Sequence, residues 1–88
     1  MSEELEQMMK EENINYFCIN GKYTLFSDKG FPILNIEVEN GGYLIRPVNL
    51  YIDDNDERYY DRDNYIYRIE GSANNVYRIY YFRNMEFL

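Results

Sequence analysis

The dipeptide Asn20-Gly21 constrains this chain more than any other feature. Both residues tolerate the positive φ angles of a two-residue hairpin turn. They separate Tyr16-Phe17-Cys18-Ile19 from Tyr23-Thr24-Leu25-Phe26, two runs of strand-forming character. An antiparallel hairpin is therefore expected, and the period of two continues past it. Ser27-Asp28-Lys29-Gly30 reads as a turn. From Ile33 to Glu39, Leu34, Ile36 and Val38 alternate with Asn35, Glu37 and Glu39, the pattern of a strand with one buried and one wet side. Asn40-Gly41-Gly42 reverses the chain into Tyr43-Leu44-Ile45-Arg46. Pro47 has no N–H to give to a ladder, so this strand is expected to be an edge or to end there.

The first fourteen residues follow a different period. Ser2 before Glu3 and Glu4 is a helix start, with a hydroxyl cap and carboxylates against the positive end of the helix dipole. Leu5, Met8 and Met9 make a narrow apolar stripe, and Asn13 closes the segment. A helix this short is not stable alone and must dock on the sheet. Downstream, residues 51–63 form an acidic excursion, read as an ordered loop or a short helical turn. Residues 64–88 read as a second hairpin, with arms Tyr65–Ile69 and Val76–Phe82 around Gly71-Ser72-Ala73-Asn74-Asn75. The triplet Tyr-Arg-Ile occurs in both arms, at 67–69 and 77–79, as cross-strand pairing chemistry would have it. The expected architecture is a single α+β domain over residues 1–88. Its short N-terminal helix (1–14) packs on a curved antiparallel sheet, or a partly open barrel, of five to six strands built from hairpins.

Composition excludes several activities. The chain has no His, which removes the commonest general base and a common metal ligand together. Cys18, the lone cysteine, lies inside an apolar strand and reads as a small buried hydrophobe. Gly41-Gly42 lacks the Lys and the strand–helix setting of a phosphate-binding loop. No catalytic residue, cofactor or enzyme activity is expected. Asp53-Asp54-Asn55-Asp56-Glu57 has oxygen ligands at alternate positions, but Arg58 stands where a calcium loop needs Gly, and Asn64 where it needs a bidentate carboxylate. No metal site is assigned. A single cysteine, no apolar run of membrane-spanning length and a charged N-terminus point to a cytoplasmic protein that does not engage membranes.

Charge is more informative. With 16 Asp plus Glu against 9 Lys plus Arg, the net charge is −7, which argues against direct nucleic-acid binding. Eleven of the 16 acids fall in two segments, residues 1–14 and 53–63. A concentrated negative field attracts cationic partners and speeds their encounter, although a net charge of this size also serves solubility alone. The chain also has 11 Tyr. A thin core cannot hold so many phenols, and Tyr51, Tyr59 and Tyr60 stand among carboxylates, where contact with Arg or Lys of a partner would add cation–π terms to ionic ones.

In size, acidity and single-domain compactness the chain resembles the small inhibitors that phages direct against host or defence proteins. The anti-CRISPR and anti-restriction DNA mimics are the nearest class. The resemblance covers the whole chain and rests on Glu3-Glu4, Glu11-Glu12 and the run Asp53–Asp63, a matter of composition with no shared motif. It implies a non-enzymatic inhibitor or regulator that binds a basic, nucleic-acid-binding groove on another protein, of the nuclease or guide-RNA effector class. The expected contact residues are Asp53, Asp54, Asp56, Glu57, Tyr59, Tyr60, Asp61 and Asp63, with Glu3, Glu4, Glu11 and Glu12 from the helix. The alternative is an interaction or self-assembly module that uses a tyrosine-rich sheet face, pairing edge strands into a homodimer, with the acidity serving solubility.

Overall fold

The structure, a computed structural model, describes residues 3–52, 58–62 and 67–86; residues 49–52, 58–62 and 67 are described by their backbone alone. The N-terminal helix α1 spans Glu3–Glu11 and buries Leu5, Met8 and Met9. Its end is set by Asn13, which adopts the left-handed conformation (φ 54°) and lets the Ile14 N–H reach back to the Met9 carbonyl at 2.8 Å. That reach across the last turn satisfies a carbonyl the helix would otherwise leave open.

The strands follow in order: β1 (Tyr16–Ile19), β2 (Lys22–Phe26), β3 (Pro32–Glu39), β4 (Gly42–Ile52), β5 (Arg58–Arg62) and β6 (Tyr67–Glu70). They form one open antiparallel sheet ordered β1-β2-β3-β4-β5, with β6 also paired to β4. Asn20 (φ 51°) and Gly21 (φ 76°) both take positive φ between the paired residues Ile19 and Lys22, the turn that Asn-Gly favours. Between the pairs Leu25↔Leu34 and Phe26↔Pro32 the register slips by one residue, so Ile33 is bulged and joins Leu34 in the core.

Two expectations about this region need correction. Pro47 neither ends its strand nor marks an edge, since β4 runs on to Ile52 and pairs with β3 as Leu34↔Pro47. On β4, Pro47 stands between Gly42–Ile45, which pair with β6, and Val48–Ile52, which pair with β5. A residue without an N–H is least disruptive at such a handover between ladders. Residues 58–62, expected in a loop or helical turn, are strand β5.

The larger correction is at the C-terminus. The first arm of the expected second hairpin is β6, but its second arm is a helix, α2, spanning Ala73–Glu86. Tyr67-Arg68-Ile69 is therefore strand while Tyr77-Arg78-Ile79 is helix. Strand-like alternation at 76–82 coexists with helical spacing at Ala73, Val76 and Tyr80, and these three are the residues α2 buries. Packing decides between the two periods, because the sheet face beside α1 has room for one more helix.

Both helices lie on the same side of the sheet. Leu5, Met8 and Met9 of α1 and Val76 and Tyr80 of α2 close over Tyr23, Leu25, Leu34, Ile36, Tyr43 and Ile45 in one core. Fully burying a residue of this size contributes about 1.5–3 kcal/mol. Among the described residues, the opposite side of β1–β4 carries no helix.

Candidate functional site

The acidic helix is built into the fold. One oxygen of Glu6 accepts from the Tyr16 hydroxyl at 3.0 Å and the other from the Tyr23 hydroxyl at 3.1 Å. Glu4 does the same on the next stretch of sheet. Its Oε2 accepts from the Tyr43 hydroxyl at 3.2 Å and its Oε1 from the Ala73 N–H at 2.9 Å, so it caps α2. Burial, reinforced by Glu6, pushes the Tyr16 phenol above its ordinary range, and burial with Glu12 does the same for Tyr77. Tyr80 donates to the Phe26 carbonyl at 2.7 Å, and burial, then Asp28 and Tyr77, pushes its pKa to about 12.

These contacts revise the expected site. Glu4 is exposed, and both of its carboxylate oxygens are engaged within the chain by Tyr43 and Ala73. Glu11 is exposed and accepts from Gln7 Nε2 at 3.0 Å, one helical turn away. Glu3 and Glu12 are exposed. The tyrosine-lined face imagined for the alternative also changes, because Tyr16, Tyr23 and Tyr43 lie on the sheet side that the helices cover, with their hydroxyls on Glu6 and Glu4. Sequence reasoning missed Glu6. Its position flanking the apolar stripe of α1, opposite strands rich in Tyr, was the available signal.

The second acidic segment has a different setting. Beyond Pro47, where its pairing with β3 stops, β4 continues with β5 as a hairpin with pairs Val48↔Arg62, Asn49↔Asp61, Leu50↔Tyr60, Tyr51↔Tyr59 and Ile52↔Arg58. Tyr59, Tyr60 and Asp61 are thus strand residues. Asp53, Asp54, Asp56, Glu57 and Asp63 lie outside the described residues. In sequence the first four fall between Ile52 and Arg58, which are register partners. Asp53, Asp54, Asp56, Glu57 and Asp63 also account for five of the seven net negative charges, because the other eleven acids are nearly balanced by nine bases.

Among the described residues, no group of three or more Cys, Asp or Glu side chains is placed to hold a metal ion, and no helix is long and apolar enough to cross a membrane. Cys18 is half-buried against the core. No protein-family model, no curated protein and no solved structure matches the chain.

Proposed function

We propose that the chain is a non-enzymatic binding protein, an inhibitor or regulator of DNA-mimic type, that presents the acidic segment of its β4–β5 hairpin to a basic, nucleic-acid-binding groove on a protein partner. One observation carries this reading. The pair Ile52↔Arg58 brackets Asp53-Asp54-Asn55-Asp56-Glu57, a run of four carboxylates with no base, on a hairpin that continues past the point where β3 stops pairing. Four like charges within five residues of sequence make a concentrated field, and concentrated fields steer cationic partners. A partner whose Arg and Lys residues are arranged for phosphates would meet carboxylates there, with Tyr59, Tyr60 and Asp61 next to them in sequence. The helix acids Glu3, Glu11 and Glu12 are secondary in this reading. Its setting would be the cytoplasm, where such grooves meet nucleic acid.

The test is affinity capture from a cell lysate followed by elution at rising salt. Ionic recognition predicts release between low and moderate ionic strength. A captured protein that stays bound across that range contradicts it.

A second reading, an interaction module acting through its sheet, is favoured by a separate observation. On outer strand β1, Phe17 and Ile19 are 45% and 61% exposed. Binding through that edge would be insensitive to salt and would give a concentration-dependent size in light scattering.

A further inference from the structure

We propose that the face of β1–β4 opposite the two helices is a binding site for a small anionic ligand, a carboxylate joined to a flat apolar body. The register builds the site. The pairs Phe17↔Thr24, Thr24↔Asn35 and Asn35↔Arg46 line up one residue from each of β1, β2, β3 and β4 in a single row. In this row the Thr24 hydroxyl donates to Asn35 Oδ1 at 2.9 Å. That bond engages the amide oxygen of Asn35, whose register partner on β4 is Arg46. Among the described residues, the Arg46 guanidinium makes no hydrogen bond or ion pair. Arg46 brings a fork of hydrogen-bond donors on a cation and Asn35 an amide NH2 beside it in the register, the chemistry that receives a carboxylate bidentately.

The neighbouring row behaves differently. It runs Ile19, Lys22, Glu37, Leu44 through β1–β4, and its two charges neutralise each other, with Lys22 Nζ 3.4 Å from Glu37. Among the described residues, Arg46 is left as the unneutralised charge over the concavity between these rows, which measures about 380 Å³. That volume lies within the range of small-molecule sites. The opposite end of the concavity is apolar, formed by the exposed side chains of Phe17 and Ile19. A carboxylate on Arg46 and Asn35 would place its attached body across β2 toward these two residues, with Leu44 lining the concavity beside Arg46. Cation at one end and aromatic surface at the other select for charge and shape together. The inference does not depend on the acidic hairpin, whose residues take no part in it.

The probe is 2-naphthoate, titrated into the full chain and followed by amide chemical shifts, with 2-naphthylmethanol as the neutral counterpart. Saturable shifts centred on Thr24, Asn35, Leu44 and Arg46 are expected from the carboxylate, and binding of the alcohol weaker by about tenfold or more. Arg46→Gln should weaken naphthoate binding by a similar factor. Asn35→Asp keeps the acceptor for Thr24 but replaces the free donor with a negative charge, and it should abolish binding. Both variants must retain the wild-type spectrum outside this face, which separates a lost site from a lost fold. Absence of saturable shifts in the wild type, equal binding of acid and alcohol, or unchanged affinity in a folded Arg46→Gln variant would overturn the proposal.

Discussion

The carboxylate of Glu4 accepts the backbone N–H of Ala73 at 2.9 Å, so a side chain from the first turn of the N-terminal helix caps the first residue of the C-terminal one. The same group takes the Tyr43 hydroxyl with its second oxygen, which ties both helices and the centre of the sheet together at one point. Glu4→Ala should therefore lower stability by about 1–2 kcal/mol, the usual cost of losing a cap. Glu3→Ala, at the adjacent carboxylate, should change it by less than about 0.5 kcal/mol. Urea denaturation of the two variants measures both, and equal effects would remove Glu4 from this role.

Tyr80 makes stability depend on alkaline pH. Its phenol rises from 10.0 to about 12 in the folded chain, because burial favours the neutral form that donates to Phe26. A raised folded pKa gives stability that is complete below the unfolded value and is lost as pH climbs through the folded one. The protein should therefore weaken progressively from about pH 10 to about pH 12. Tyr80→Phe should flatten that loss while costing about 1 kcal/mol near neutrality from the missing hydrogen bond. Denaturation midpoints across the alkaline range measure both effects.

Gly42 is required by close approach of two strands. A Cβ at this position would fall onto the carbonyl oxygen of Ile69, so β4 and β6 could not keep their pairing there. Gly42→Ala should destabilise the fold by roughly 1–3 kcal/mol, the range for overpacking. Amide exchange should accelerate first in β6, and an unchanged exchange pattern would contradict this account of Gly42.

The helical C-terminus can be checked with two truncations. In a strand, Val76 and Phe82 would share a face, whereas in α2 Val76 is 0% exposed and Phe82 is 69% exposed. Val76→Ala should cost roughly 2 kcal/mol. Phe82→Ala should stay within about 0.5 kcal/mol. Similar costs for the two would favour the strand.

Local chemistry made part of this fold legible. Asn20-Gly21, the alternation from Leu34 to Val38 and the stripe of Leu5, Met8 and Met9 each specify their element without help from the rest of the chain. The C-terminal segment was misleading because its β-branched and aromatic residues satisfy both periods, and only burial against α1 and the sheet selects the helix. Once formed, α2 is pinned at its far end by contacts no local pattern contains. Asn84 accepts from the Asp28 N–H at 2.9 Å and donates to its carboxylate at 3.1 Å, while Arg83 donates to the Val48 carbonyl at 3.1 Å. The expected contact set was affected in the same way. Glu4 looked like its acidic neighbours in sequence, and only the arrival of Tyr43 and Ala73 beside it distinguishes a structural carboxylate from an available one.

What remains of the acidic surface is narrower than the net charge suggests, and charge reversal on the hairpin tests it most directly. Asp53, Asp54, Asp56 and Glu57 would be replaced together by Lys, and Glu3, Glu11 and Glu12 together by Lys in a second variant, with affinity for the captured partner measured for both. The hairpin variant should lose binding while remaining folded, and the helix variant should retain most of it. Unchanged affinity in the folded hairpin variant would contradict the proposed function.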